Sequence, residues 1–225
     1  DYAFLLESVE GQEKIARYSF LGTKPSLVFK SKGKNIEMIY PGKNTSHRFV
    51  TAKTPLDEIK AIMKDFKTVN IKGLPRFYGG LVGYMGYDMV RFFEDLPDKN
   101  PDDLQIPDSV FMMADSLVIF DHSTHKVKVV VNACLGTRDT GQGTREVYVK
   151  AVQKIEKIIA KLNEPEKKKN KKTKSKKHKI GSNFTKLEFE NLVRKAKEYI
   201  KAGDIIQVVP SQRFSTRLNC EPFDV

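Results

Sequence analysis

The sequence predicts an α+β fold in which antiparallel sheets pack with helices, and three features predict it. The first third contains short β-rich runs separated by glycine and proline, as hairpin-linked strands are. The later part contains two amphipathic helical segments. Strands and helices do not alternate regularly, so a parallel sheet built from βαβ units is not predicted.

The β-rich runs come first along the chain, and a helix follows them. Pro55 suits the first turn of that helix, because its fixed φ angle is helical and its missing N–H would be unpaired there in any case. Apolar residues then recur at helical spacing. The predicted strands are residues 3–10, 16–23, 26–32 and 35–40, and the apolar stripe consists of Leu56, Ile59, Ile62, Met63 and Phe66.

A glycine-rich segment, GGLVGYMGY at residues 79–87, mixes strand residues with four glycines. Glycine inside a strand pattern usually marks a close backbone approach or a bulge. Tight packing is therefore the leading interpretation of this segment, and ligand binding is the alternative. Further along the chain, residues 110–133 are predicted to form a buried pair of strands, because apolar residues dominate them.

Two helices are predicted in the second half of the chain. Residues 144–162 combine charged residues with an apolar stripe. The next helix has signals at both ends, since Thr185 and Glu188 form a capping box and Gly203 suits the left-handed position after the last turn. A strand that contains Gln207 is predicted to follow at once.

The net charge of +12 is concentrated in one stretch of the chain. Residues 161–179 hold ten lysines and two glutamates, which leaves only +4 for the other residues. Such a block cannot bury apolar surface, so it predicts a flexible linker at residues 164–182. No aromatic residues alternate with its lysines, which argues against a specific nucleic-acid partner and leaves only salt-sensitive contact with polyanions.

Two cysteines, Cys134 and Cys220, lie far apart without the spacing of a metal or redox motif. They favour free thiols and a cytoplasmic location. No run approaches about 18 apolar residues, so no membrane partner is predicted. The common nucleotide-binding and metal-binding motifs do not occur, and no metal site is predicted in this chain.

Two stretches are not explained by packing alone. LLES, residues 5–8, ends an apolar run with Glu7 and Ser8, for which a strand end with a turn-forming serine is the simpler alternative. IIQVVPSQRF, residues 205–214, places Gln207 in the middle of an apolar run. A buried amide without a partner costs about 1–3 kcal/mol, so Gln207 should have a fixed partner, either backbone or ligand.

Three segments together carry a resemblance to a known family. LLESVEGQEKIARYSFLG, GGLVGYMGYDMVRFFEDLP and AGDIIQVVPSQRFS resemble, in order and spacing, the large subunit (component I) of anthranilate synthase, a chorismate-utilising enzyme. The resemblance covers the chain apart from the lysine-rich insert. GDIIQVVPSQRF is typical of the members that use ammonia, and LLES with RYSFLG favours anthranilate synthase among them.

The resemblance implies a fold, an activity and a regulator. The fold would be the N-terminal part of a two-lobed α/β sandwich. The activity would convert chorismate and ammonia to anthranilate and pyruvate in tryptophan biosynthesis, with ammonia supplied by a glutamine amidotransferase subunit, component II. Mg²⁺ would be required, and L-tryptophan would inhibit by feedback.

The resemblance also assigns roles to individual residues. Leu6, Glu7 and Ser8 would line the tryptophan pocket with Arg17, Tyr18 and Ser19 close by, since a carboxylate and a hydroxyl suit an α-ammonium group. Gln207 would be a catalytic residue in the active-site wall, where relatives that add water carry a lysine. A lysine can act as a base for water, whereas ammonia already has a lone pair and needs only positioning.

The resemblance further implies that much of the enzyme is missing from this chain. The Mg²⁺ ligands, the catalytic histidine and glutamate, and most substrate-binding residues would lie downstream of Val225. The chain is therefore expected to be an N-terminal portion that is inactive alone. The implied organisation is a tryptophan-binding regulatory lobe at residues 1–163, the linker at 164–182, and the truncated start of the chorismate-binding catalytic region at 183–225.

Two alternatives remain open on the sequence. Aminodeoxychorismate synthase component I, an enzyme of folate biosynthesis, keeps the same glutamine and would be distinguished by a lysine nucleophile further along. A non-catalytic tryptophan-binding fragment would bind the amino acid without turning over chorismate. The sequence does not indicate an oligomeric state.

Overall fold

A computed structural model describes residues 2–7, 17–134, 143–165 and 178–222. The chain divides into two compact units, Asp1–Glu164 and Pro165–Val225. Ser8 and most of the predicted lysine-rich linker lie outside the described residues.

The first unit contains two antiparallel sheets and two helices. Its elements are β1 (Ala3–Leu6), β2 (Tyr18–Thr23), β3 (Val28–Lys32), β4 (Asn35–Tyr40), β5 (Thr45–Val50), α1 (Pro55–Lys64), β6 (Gly80–Met85), β7 (Ser109–Ala114), β8 (Ser116–Asp121), β9 (Lys126–Val131) and α2 (Thr144–Leu162). The four-stranded sheet has the strand order β1-β2-β8-β9, and the five-stranded sheet has the order β5-β4-β3-β7-β6. The predicted α+β class with antiparallel sheets is confirmed.

A hydrophobic core cluster of the first unit draws side chains from both sheets. Its buried centre, Leu117 and Ile119 of β8 with Ala114 of β7, is surrounded by partly buried side chains from both sheets. Phe20 of β2 and Phe77 meet edge to face, with ring centroids 5.4 Å apart. Leu117 and Ile119 enter this core from the same face of β8, because side chains on a strand alternate between its two faces.

Both helices of the first unit follow from their sequence signals. α1 begins at Pro55 as predicted, and Thr54 caps it: the Thr54 hydroxyl accepts from the Asp57 N–H at 3.3 Å. α2 covers the predicted range, Thr144–Leu162. Helical periodicity therefore located both segments correctly.

The segment 110–133 differs from its prediction, because three strands form where a pair was expected. β7 ends at Ala114 and β8 begins at Ser116, so the chain passes from the five-stranded to the four-stranded sheet at Asp115. Lys154 of α2 donates to the Asp115 carboxylate at 3.0 Å. Asp115 therefore interrupts an apolar run that otherwise resembles one strand.

β5 is a strand that the sequence analysis does not predict. Its sequence, TSHRFV, is largely polar and most of it is exposed, so it lacks the alternation that marks a half-buried strand. It forms at the edge of the five-stranded sheet, paired with β4 over six residues. Pairing with a neighbour, rather than burial, holds it in place.

The glycine-rich segment 79–87 contributes β6, and close backbone packing explains Gly83. A Cβ atom at Gly83 would overlap the backbone carbonyl of Val110 on the neighbouring strand β7. A backbone atom cannot move aside as a flexible side chain could. The tight-packing interpretation is therefore correct for this glycine.

We expect Gly83→Ala to destabilise the protein by about 2 kcal/mol or more, because the strands β6 and β7 would have to separate locally. Gly42→Ala is the matched control, since a Cβ atom at Gly42 would meet no neighbouring group within 4 Å. That substitution should be neutral or slightly stabilising. Urea unfolding of both variants provides the measurement. Equal midpoints for the two would contradict the predicted overlap between a Cβ atom at position 83 and the Val110 carbonyl.

The second unit is built around one helix. Its described elements are β10 (Gly181–Ser182), α3 (Lys186–Ala202) and β11 (Phe214–Ser215). The predicted capping box is present, because the Thr185 hydroxyl accepts from the Glu188 N–H at 3.3 Å and the Glu188 carboxylate accepts from the Thr185 N–H at 2.8 Å. Gly203 ends the helix in the left-handed region with φ of 81°.

The predicted strand around Gln207 is wrong. After α3 the chain forms no strand until the two residues of β11, and Gln207 itself is exposed. A strand needs neighbours for its backbone groups, and among the described residues of the second unit only the short β10–β11 pair supplies them. None of the described residues of this unit is buried, so the apolar run has no core there to enter.

No helix in the described parts of the chain combines the length and the apolar content that crossing a bilayer requires.

Candidate functional site

At one end of the four-stranded sheet, which we call this sheet edge below, the ends of neighbouring strands lie side by side. β1 ends at Leu6, which pairs with Phe20 of β2. β2 begins at Tyr18, which pairs with Asp121 at the end of β8. We call the side chains gathered here the strand-end cluster; its members are Arg17, Tyr18, Ser19, Asp121, His122 and Lys128.

A two-point ion pair forms the centre of the strand-end cluster. Arg17 donates from Nε to Oδ1 of Asp121 and from Nη2 to Oδ2, both at 2.9 Å. The Asp121 side chain is only 1% exposed, whereas that of Arg17 is 40% exposed. Parallel charge-assisted bonds of this kind satisfy a buried carboxylate and fix the orientation of the guanidinium.

Asp121 has further partners beyond Arg17. Lys128 of β9 places its Nζ 3.4 Å from Oδ2, and the Thr124 N–H donates to Oδ1 at 3.4 Å. The hydrogen bond from Arg17 is the main cause that holds the pKa of Asp121 well below its usual range. Asp121 is therefore ionised under all ordinary conditions, with two cations in contact.

We expect this carboxylate to make folding stability depend on acidity. Because the pKa of Asp121 is lower in the folded protein than in the unfolded chain, its contribution is fully present above the unfolded pKa of about 3.9, and it is lost progressively as the pH falls from there through the lower pKa of the folded state. Asp121→Asn should therefore be less stable than the wild type at pH 7, and the difference should shrink as the pH is lowered towards 3.

Urea midpoints measured between pH 3 and 7 test this expectation. Asp98→Asn is the control, since Asp98 forms an exposed ion pair with Arg91 at 3.5 Å and its loss should change stability little. If Asp121→Asn is as stable as the wild type at pH 7, the buried ion pair contributes nothing to folding stability.

Tyr18 lies beneath both cations of the strand-end cluster. The Arg17 Cζ is 5.0 Å from the centroid of the Tyr18 ring, and the Lys128 Nζ is 5.9 Å from it. Lys128 also donates to the backbone carbonyl of Gly73 at 2.8 Å. The aromatic face thus helps to hold two positive charges close together.

A second contact ties the start of β2 to the turn after β8. The Ser19 hydroxyl lies 2.7 Å from Nε2 of the His122 ring. The backbone N–H of His122 donates to the backbone carbonyl of Arg17 at 2.8 Å. Ser19 is 3% exposed. The bond from His122 therefore fixes the backbone of Arg17, whose side chain is held separately by Asp121.

The structure places two of the other predicted pocket residues at the same edge. Leu6 is 46% exposed and shares a strand face with Phe4, which packs against the core. Glu7 follows directly and is exposed. Ser8 lies outside the described residues, so its predicted contact with tryptophan stays a prediction, as do the roles of Leu6, Glu7 and Arg17.

Sequence reasoning missed Asp121, His122 and Lys128 as members of this cluster. One signal was available: the apolar run SLVIFD ends in a carboxylate, and a buried carboxylate needs a cationic partner. The identity of that partner was not available, because Arg17 lies 104 positions away in the sequence.

Gln207 lies apart from any such cluster in the described residues of the second unit. Ile206 before it is 98% exposed and Val209 is 78% exposed. No described residue forms a hydrogen bond with the Gln207 amide, so the fixed partner that the sequence predicts is not among them. Its catalytic role stays a prediction.

The described residues do not fit a Mg²⁺ site, because no three histidine, cysteine, aspartate or glutamate side chains among them gather closely enough to hold a metal ion. A groove of about 410 Å³ is lined mainly by residues of β3, β4 and β5. That groove contains none of the predicted site residues.

Comparisons with known proteins agree with one another. The family described as chorismate binding enzyme matches residues 1–225. Anthranilate synthase component 1 of Aquifex aeolicus is 41% identical over 232 aligned residues, which cover 100% of this chain and 44% of that protein. The protein of the same name from Acetivibrio thermocellus is 40% identical and is covered to the same 44%.

A solved structure shares the fold. Anthranilate synthase component I from Streptococcus pneumoniae TIGR4 superimposes with a TM-score of 0.71 at 25% sequence identity, over 97% of this chain and 45% of that one. The chain thus spans somewhat less than half the length of the relatives that it matches.

Proposed function

This chain belongs to the chorismate binding enzyme family, and on that basis we propose that it forms part of an anthranilate synthase large subunit. The enzyme would convert chorismate and ammonia to anthranilate and pyruvate in the biosynthesis of tryptophan. The observation that carries the proposal is the similarity to two proteins named anthranilate synthase component 1, at 41% and 40% identity across the chain.

The nucleophile in this proposal is ammonia, and Gln207 is the residue that selects it. An amide is neutral and cannot take a proton from water, whereas ammonia carries a free lone pair and needs only to be held against the substrate. A glutamine amidotransferase subunit would supply the ammonia. Mg²⁺ would neutralise substrate carboxylate charge, and its ligands would come from outside the described residues, which do not fit such a site.

Feedback inhibition by L-tryptophan is the regulatory part of the proposal. The strand-end cluster supports it, because the exposed apolar side chain of Leu6 and the exposed carboxylate of Glu7 come at the end of β1, and the fixed cation Arg17 directly precedes the neighbouring strand β2. An amino acid with an aromatic side chain presents the complementary groups: an apolar ring, an ammonium and a carboxylate.

The test uses the complete enzyme with chorismate, an ammonium salt and Mg²⁺. We expect fluorescent anthranilate to accumulate and pyruvate to form in equal amounts, and L-tryptophan to suppress both. Formation of aminodeoxychorismate without pyruvate would instead favour the folate enzyme. Tryptophan binding without any turnover of chorismate would favour a binding module and overturn the proposed activity.

A further inference from the structure

The outer edge of β5 presents backbone groups that no described strand pairs with. β5 is the last strand of the five-stranded sheet, and its one described neighbour is β4. The Thr51 N–H donates to the Lys34 carbonyl at 2.9 Å, and these residues continue the β4–β5 register by one position. In an antiparallel pair, residues that exchange backbone hydrogen bonds alternate with residues whose backbone groups point away. The N–H and C=O groups of Ser46, Arg48 and Val50 therefore point to the outer edge.

The side chains around this outer edge are positively charged. Residues 43–53 include Lys43, Arg48 and Lys53 and no carboxylate. Lys30, Glu37 and Arg48 form a row across three strands, in which Arg48 donates from Nε to Oε1 of Glu37 at 2.7 Å. One carboxylate between two cations leaves this row with a net charge of +1. The Arg48 side chain is 76% exposed, so the charge is open to a partner from solvent.

We propose that the outer edge of β5 binds an extended acidic segment of a partner protein, which adds to the five-stranded sheet as a further strand. The backbone of such a segment supplies an acceptor for each outward N–H and a donor for each outward C=O. An acidic side chain on it lies opposite Arg48, where a cross-strand pair of opposite charge is stabilising. The groove of about 410 Å³ lined by β3, β4 and β5 includes Val50, which is 69% exposed, and gives space for an apolar side chain of the segment.

A second copy of the chain and a nucleic acid fit the outer edge less well. Pairing β5 with itself through all three outward residues would place the Arg48 side chains of the two copies directly opposite each other, and like charges in that position are destabilising. The phosphates of a nucleic acid only accept hydrogen bonds, whereas this edge presents carbonyl acceptors as well as N–H donors. An acidic peptide matches both the charge and the alternation of donors and acceptors.

Fluorescence anisotropy of a labelled peptide with the complete enzyme tests the inference. The probe has about eight residues, the length of an ordinary strand, and alternates glutamate with threonine. We expect saturable binding that weakens as the salt concentration rises. The same peptide with glutamine in place of glutamate should bind about fivefold more weakly or worse, because it has lost its charge. A version with every backbone nitrogen methylated should not bind, because it cannot donate to the outward carbonyls of β5.

Ser46→Pro separates strand addition from charge attraction. It removes an outward N–H and leaves the hydrogen bonds between β4 and β5 in place, as proline on an edge strand can. Peptide binding should weaken by about tenfold or more, because a donor is lost and the ring obstructs the added strand. Ser46→Ala is the matched control, since it keeps the N–H and should bind like the wild type. Arg48→Met should weaken binding by about two- to fivefold, as the loss of one exposed ion pair does.

The possible outcomes distinguish the occupants of the outer edge. Wild-type affinity in a folded Ser46→Pro, equal binding of the glutamate and glutamine peptides, or binding of the methylated peptide would overturn the inference. If the complete enzyme binds no peptide, the edge is closed to partners and the inference is wrong. Dissociation of an oligomer by Ser46→Pro, measured by sedimentation, would assign the edge to a second copy instead. Binding of single-stranded RNA that Ser46→Pro abolishes would assign it to a nucleic acid.

Discussion

Replacing Gln207 with glutamate is expected to lower anthranilate formation in the complete enzyme by more than tenfold. Chorismate is an anion, and a carboxylate in the wall of its site would repel the negative charges of the substrate. Glutamate has nearly the same shape as glutamine, so the change introduces charge with little change in volume. The effect should therefore report electrostatics at the active site rather than a packing defect.

The measurement is the initial rate of anthranilate fluorescence at saturating ammonium over a range of chorismate concentrations. Asn191→Asp is the matched control, because it makes the same amide-to-carboxylate change on α3 and keeps the oxygen that accepts from Arg194 at 2.8 Å. Its rate should stay within about twofold of the wild type, since an exposed helix position is tolerant of such changes. Unchanged turnover in Gln207→Glu would remove Gln207 from the active site.

The expected stability of this variant also follows from the structure. Gln207 is exposed and forms no hydrogen bond with a described residue, so the substitution removes no contact that those residues make. The melting temperature should therefore change by about 1 °C or less. A large fall in melting temperature would mean that Gln207 is packed against another part of the enzyme.

Local signals predicted some elements well because those elements depend on nearby residues. α3 begins at its capping box and ends at Gly203 as expected, since both ends are determined by residues within one turn. The segment around Gln207 was predicted as a strand, and it is not one in the described residues. An extended run becomes a strand only when neighbours pair with it, and the run itself does not encode those neighbours.

The strand-end cluster could not be predicted completely for the same reason, because it also depends on residues that are distant in the sequence. The sequence pointed to Glu7 and Arg17 through a resemblance, and antiparallel pairing does bring both to one sheet edge. The buried carboxylate that orients Arg17 comes from Asp121, on a strand that lies far along the chain. A contact between distant segments depends on the order of strands in the sheet, which hydrophobic periodicity does not contain.

The largest effect on regulation is expected from Ser8. By resemblance, its hydroxyl binds the ammonium group of tryptophan, and Leu6 and Glu7 at the same strand end support a pocket there. A hydroxyl bonded to a charged group contributes about 1.5–3 kcal/mol, so Ser8→Ala should weaken tryptophan binding by about ten- to a hundredfold. Ser8→Phe should weaken it further, because the ring would occupy the space of the ligand.

The two substitutions separate a ligand contact from a strand-end serine. Tryptophan affinity is measured by calorimetry, and inhibition of anthranilate formation is followed in parallel, with turnover in the absence of tryptophan recorded for each variant. A contact with tryptophan predicts that affinity falls in the order wild type, Ser8→Ala, Ser8→Phe, and that the inhibitory concentration rises by the same factors. A serine that only ends a strand predicts wild-type affinity in both variants, because neither the ring nor the missing hydroxyl would then face the ligand.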